Sequence, residues 1–147
     1  MEFDGRAGSH SVLMDAKPPI GSNAGATPKE LVGMGLSGCT AMDVIALLKK
    51  HKQTPRLLSV DSDISIKPGG YPAVFEKAVL TFNVEGDVHP EVLKEAVALS
   101  QTKYCSVSAM LSKAFVIEYS IVLNGQLIGQ GTADFESVFE SQIVLKT

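Results

Sequence analysis

The segment from Leu31 to Leu48 constrains the fold most. Only Ser37, Thr40 and Asp43 interrupt its apolar and glycine positions. A helix that is apolar nearly all round is a buried helix. Its start is well marked. Thr27 can cap it, Pro28 suits the first helical position, and Glu30 completes a capping box. It should run to about Lys49–His51, where three basic residues complement the helix dipole and Pro55 stops continuation. Gly33, Gly35 and Gly38 each cost about 1 kcal/mol relative to alanine in a helix interior. Three so close together make sense if another backbone approaches there. A single sheet covers one side of a helix, so burying the other side needs a second helix or a second subunit. Roughly 18–20 apolar residues could also cross a bilayer. Asp43 inside the stretch, and the ordinary soluble character of the remainder, favour a core helix and no membrane partner.

The rest of the chain reads as alternating strands and helices. Residues 10–15 (HSVLMD) form a short strand, with Arg6 and His10 flanking it and Asp4-Gly5-Arg6 as a turn. Residues 17–26 are a Pro/Gly/Ser/Asn-rich surface loop. Residues 58–67 alternate, with Val60, Ile64 and Ile66 among polar partners. Residues 75–84 form a second strand, and 68–72 the turn of the hairpin. Pro90 opens a helix with Leu93, Ala96, Val97 and Ser100 on one face. Val107, Met110, Leu111 and Ala114 mark a further helix. Residues 115–123 and 126–132 flank Asn124-Gly125, a strong hairpin signal. The class is α+β: antiparallel hairpins around a long central helix, in one domain over residues 1–147. The tail 134–147 is unplaced, although 142–145 could add a strand.

Composition narrows the function. Lys and Arg number 13 against 16 Asp and Glu, a net charge of -3. That argues against a nucleic-acid partner. Hydrophobic residues at 45% and charged ones at 20% exclude disorder. No basic and apolar leader is visible at residues 1–4, and two cysteines are too few for a secreted disulfide scaffold, so a cytoplasmic protein is expected. Neither Cys39 nor Cys105 lies in a CxxC motif, and His10, His51 and His89 are scattered, so a metal is not expected from spacing. No serine-nucleophile elbow and no phosphate loop is present.

Cys39 falls in the middle of the long helix, where a cysteine can simply pack as a small hydrophobe. Asp43, one turn on, shares its face and would oppose a thiolate unless neutralised or turned away. Cys105 sits near the start of a short helix just after Lys103, two features that stabilise a thiolate; the alternative is again a packed thiol. Whether the two sulfurs meet cannot be read from spacing.

Residues 27–31 (TPKEL) leading into 36–44 (LSGCTAMDV) resemble the first cysteine helix of the OsmC/Ohr family, the osmotically inducible and organic hydroperoxide resistance proteins. Residues 103–111 (KYCSVSAML) resemble its second cysteine motif. Residues 8–15 (GSHSVLMD) resemble its early strand, particularly in the OsmC-like branch. The resemblance covers about residues 5–133 in the right order. It implies an intertwined homodimer with long helices packed centrally between antiparallel sheets of both subunits. It also implies a cytoplasmic, cysteine-based peroxidase of the oxidative stress response that reduces organic hydroperoxides without a cofactor. By this resemblance Cys39 attacks the peroxide and becomes a sulfenic acid. Cys105 then resolves it to a disulfide, and a dithiol reductant such as a lipoylated protein reopens the disulfide. Arg6 stands where the family supplies its activating guanidinium. Lys29 stands where the family has a glutamate, and Glu30, the next residue, is the candidate for that role. His10, Met34 and Met42 are assigned to an apolar substrate pocket. The alternative is a non-catalytic protein of the same fold that binds an apolar or thiol-reactive small molecule.

Overall fold

The computed structural model describes residues 1–136, so the candidate strand at 142–145 lies outside the described residues. The chain divides into two compact units, Met1–Gly35 and Leu36–Thr147, with the boundary inside the long helix.

In the first unit, β1 (Glu2–Ala7) pairs antiparallel with β2 (His10–Asp15), in register from Glu2 opposite Asp15 to Ala7 opposite His10. The sequence reading of Asp4-Gly5-Arg6 as a turn is therefore corrected. Those residues are strand, and the reversal falls at Gly8-Ser9, where Gly8 takes φ 59°. A glycine tolerates that conformation without steric cost. Arg6 thus lies within a strand, opposite Ser11. The loop after β2 is organised by the buried Asp15 carboxylate. It accepts from the backbone N–H groups of Ala16 (2.7 Å), Ser22 (2.9 Å) and Ala24 (3.0 Å) and from the Ser22 hydroxyl (2.8 Å). These donors, the Ala24 N–H foremost, hold its pKa far below the usual carboxylate range.

The long helix, α1 (Pro28–Lys50), begins as the sequence indicates. The Thr27 hydroxyl accepts from the Glu30 N–H at 3.3 Å, and the Glu30 carboxylate accepts from the Thr27 N–H at 2.8 Å. These are the two reciprocal bonds of a capping box. In the second unit α1 buries one line of side chains, Leu36, Thr40, Val44 and Leu48, each fully excluded from solvent. Residues four apart lie on one helix face, so this is a single stripe.

Leu36, Val44 and Leu48 of that stripe share one core with a four-stranded sheet ordered β3 (Leu57–Ile66), β4 (Phe75–Glu85), β5 (Val116–Leu123) and β6 (Gln126–Thr132). Strands β3–β4 and β5–β6 are the two expected antiparallel hairpins, and they join side by side through a parallel β4–β5 pairing. A parallel neighbour requires a crossover. Here it is α2 (Pro90–Leu99), a π-helical turn at Ser100–Tyr104, and α3 (Ser106–Leu111). Alternation in β4 sends Ala78, Leu80, Phe82 and Val84 inward against Leu93, Ala96 and Val97 of α2. The opposite face is polar, with pairs such as Lys77–Glu118 and Asn83–Asp61. Ile66, expected on the apolar face of β3, is exposed because the register shifts between Ser65 and Ile66. The Asn124-Gly125 turn has positive φ at both residues (51° and 80°), as its two-residue hairpin demands.

Candidate functional site

The second unit brings together two cysteines 66 positions apart along the chain. Cys39 sits half-buried on α1, and Asp43 follows one turn later on the same face. Cys105 is fully buried at the N-cap of α3. The two sulfurs and a carboxylate oxygen of Asp43 all lie within 4.8 Å of one another. Both thiols are free.

The thiols occupy unequal settings. The Cys105 sulfur accepts from the Ser108 N–H at 3.3 Å. Its pKa is nonetheless pushed up to about 11, first by burial and further by the Cys39 thiol beside it, with Ser108 pulling the other way. This corrects the expectation that the start of a helix and Lys103 would stabilise a Cys105 thiolate. Helix α3 has only six residues, and the Lys103 ammonium lies 5.5 Å from the centre of the Tyr104 ring. Desolvation outweighs what a short helix terminus supplies.

Beside the cysteines runs a buried polar chain that the sequence did not reveal. Gln101 Nε2 donates to Thr40 Oγ1 at 2.6 Å, Thr40 and Ser100 hydroxyls lie 2.8 Å apart, and Ser100 Oγ donates to Asp43 Oδ2 at 3.1 Å. Ser100 has one proton, and Asp43 receives it, so Thr40 must donate to Ser100. Every donor thus points toward the Asp43 carboxylate. Burial still raises the Asp43 pKa above its ordinary value, against the Ser100 hydrogen bond. Gln101, Ser100 and Thr40 are fully buried, and Gln101 Oε1 has no hydrogen-bond partner among the described residues. Two signals could have found this chain. Thr40 interrupts the otherwise aliphatic stripe of α1, and Ser100 falls on the apolar face of α2. The π-helical turn, which inserts an extra residue per turn and recurs at functional sites, left no signal in the sequence.

The other sequence candidates belong to the first unit or to exposed helix surface. Arg6 is exposed on β1 and holds no ion pair among the described residues. Glu30 is committed to the capping box and to Lys17, whose ammonium lies 2.8 Å away; Lys17 and the Thr27 donors draw its pKa down to about 2. His10 is exposed at the start of β2. Met34 and Met42 are 56% and 75% exposed, so neither is a core residue of the single chain. Alanine-sized additions at Gly35 or Gly38 would meet nothing within 4 Å among the described residues, so the close backbone approach expected there is not supplied by those residues. Only 28% of the most apolar stretch of α1 is buried, although its length and composition alone would suffice to cross a membrane.

Comparison with known proteins bears on the family and the fold. Residues 21–120 match the family model described as OsmC-like protein. Protein YhfA of Escherichia coli K12 is 35% identical over 118 residues, covering 78% of this chain and 83% of its own. Among solved structures, an OsmC-like protein from Mycoplasma pneumoniae superposes with a TM-score of 0.72 at 14% identity, covering 83% of this chain and 88% of its own. An organic hydroperoxide resistance protein OsmC from Legionella pneumophila superposes with a TM-score of 0.61 at 13% identity, covering 82% and 96%. At these identities the two structures speak to fold alone.

Proposed function

The chain belongs to the OsmC-like protein family, and we propose that within it this protein is a cysteine-based peroxidase acting on organic hydroperoxides. The observation that carries this reading is the meeting of Cys39 and Cys105 in unequal environments. The half-buried Cys39 is reachable by a substrate, and the fully buried Cys105 is held back as a protonated thiol.

The chemistry runs in three balanced steps. The Cys39 thiolate attacks the O–O bond, and with one proton the products are an alcohol and the Cys39 sulfenic acid. The Cys105 thiol condenses with it, releasing water and forming the Cys39–Cys105 disulfide. An external dithiol, such as a lipoyl group, reduces that disulfide and becomes a cyclic disulfide itself. A disulfide needs an S–S distance of about 2.05 Å, which the paired thiols reach by closing from within 4.8 Å. By the family resemblance, Arg6 is the guanidinium assigned to the leaving oxygen. Glu30 is assigned a positioning role, fixing the start of the helix that carries Cys39. His10, Met34 and Met42 are assigned to substrate binding.

The α1 surface left uncovered by the described residues supports a homodimer, in which a second copy would face Gly35, Gly38 and Met42. Two free thiols suit a reducing compartment, and the cytoplasm is assigned on that ground.

A second reading has its own support. Among the described residues no cation pairs with Asp43, and the carboxylate faces the thiols that a peroxidase must ionise. This favours a non-catalytic protein that binds an apolar or thiol-reactive small molecule. Intact-mass measurement after one equivalent of an alkyl hydroperoxide separates the two. The peroxidase loses two hydrogens in the wild type and gains one oxygen in Cys105→Ser. No mass change in either protein removes the peroxidase reading.

A further inference from the structure

From the same cluster we infer that Cys39, Asp43 and Cys105 form a binding site for a divalent d10 metal ion, with Zn²⁺ the ion to test. The inference does not depend on peroxidase activity. The three donor atoms lie within 4.8 Å of one another, and each comes from a different residue in a part of the protein that is half or fully buried. Tetrahedral zinc with Zn–S of about 2.3 Å and Zn–O of about 2.0–2.2 Å places neighbouring donors about 3.5–3.8 Å apart. The observed cluster therefore needs to contract by no more than about 1.3 Å, within the reach of side-chain rotation.

Two thiolates and a carboxylate are a donor set that a borderline-soft ion accepts. The fourth position would be left to water, as in zinc sites that stay open. Cys39 and Asp43, at i and i+4, project from one helix face, and the N-cap of α3 supplies Cys105.

The surroundings also match a ligand set held in place from behind. Asp43 Oδ2 is held by the Ser100 hydroxyl, while Oδ1 takes no hydrogen bond among the described residues and stays open to a ligand. Ser100 is itself fixed by Thr40 and Gln101. The Cys105 sulfur receives the Ser108 N–H, a donor that favours the thiolate a metal requires. The absence of CxxC and clustered histidines argued against a metal because spacing cannot register donors that meet across 66 positions. Conversion of the two thiols to a disulfide removes both sulfur donors, so metal and disulfide exclude one another.

The test uses the full chain, reduced and freed of metal with a chelator, titrated anaerobically with Co²⁺ and then with Zn²⁺. Expected are a sulfur-to-cobalt charge-transfer band in the near ultraviolet, the intense visible bands of tetrahedral cobalt, and their loss on adding one Zn²⁺ per chain. Asp43→Asn and Cys39→Ser should each weaken Zn²⁺ binding tenfold or more, and Ser100→Ala by about 10–100-fold. Circular dichroism identifies any variant that has failed to fold. Should a variant not fold, the wild-type charge-transfer band and one-to-one stoichiometry decide alone. A folded wild type without the charge-transfer band, or Asp43→Asn and Cys39→Ser binding Zn²⁺ as the wild type does, overturns the assignment. Loss of hydroperoxide turnover bears only on the peroxidase reading, since the cobalt spectrum is recorded without substrate.

Discussion

Replacing Thr40 by valine should reveal how much the buried polar chain contributes. The two side chains have nearly the same shape, so the substitution removes hydrogen bonding with little change in packing. Thr40 accepts from Gln101 at 2.6 Å and donates to Ser100 at 2.8 Å. Two net hydrogen bonds are worth about 1–3 kcal/mol, and leaving the Gln101 amide with only its long 3.5 Å contact to Ser100 Oγ adds about 1–3 kcal/mol. Allowing for overlap between these contributions, Thr40→Val should destabilise the fold by about 2–4 kcal/mol. Gln101→Met behaves differently. It removes the donor to Thr40 but also removes Oε1, which is buried without a partner. Its cost should be about 0–1 kcal/mol. The double variant then lacks any stranded amide and should be more stable than Thr40→Val alone, giving a coupling of about 1–3 kcal/mol. Urea unfolding of reduced protein at one fixed concentration, followed by circular dichroism, measures all four corners of the cycle. The concentration is fixed because an assembly would make apparent stability depend on it. A Thr40→Val cost under about 0.5 kcal/mol, or a double variant that sums the two singles, would refute the directed chain.

Three further outcomes follow from named contacts. Gly86 has φ +124°, its backbone N–H and C=O are both held by the Asn124 side chain, and an added Cβ would come within 2.8 Å of the Arg56 nitrogen. Gly86→Ala should therefore cost about 1–3 kcal/mol in thermal unfolding, and an unchanged melting temperature would contradict that conformation. In metal-free reduced protein, the raised Cys105 pKa means that the unfolded chain loses this proton first. Stability from this source is complete below about pH 9 and is lost as pH rises toward about 11. That decline should flatten in Cys105→Ala when unfolding is measured across the same range, and an identical decline would assign it to other groups. Thr27→Ala removes the hydroxyl that caps α1 and should cost about 1 kcal/mol, with amide exchange quickening first at Glu30 and Leu31; unchanged protection there would contradict the capping box.

Much of the architecture is readable from local chemistry. A capping box, a proline at the first position and basic residues at the end mark α1 almost to the residue. Asn124-Gly125 marks the β5–β6 hairpin because few other dipeptides tolerate two positive φ angles. What the sequence hides is what depends on distant partners. Strand β1 exists because β2 pairs with it, and its Asp4-Gly5-Arg6 looks like a turn when taken alone. The parallel β4–β5 pairing has no signature in either hairpin. In the candidate site, the helical spacing of Cys39 and Asp43 is visible, and the family resemblance singles out Cys105. The burial that raises the Cys105 pKa, and the hydroxyl chain from Gln101 to Asp43, arise only when the crossover packs beside α1. Glycines 35 and 38 carry the opposite lesson. Their open surroundings leave α1 with a face that the described residues do not cover.

The most direct test is a peptide map of protein treated with one equivalent of an organic hydroperoxide, alkylated and digested without reductant. The predicted result is a single intramolecular linkage joining the Cys39 and Cys105 peptides, lost after addition of a dithiol. Recovery of both peptides alkylated, or a linkage between two copies of the Cys39 peptide, would contradict a Cys39–Cys105 redox pair.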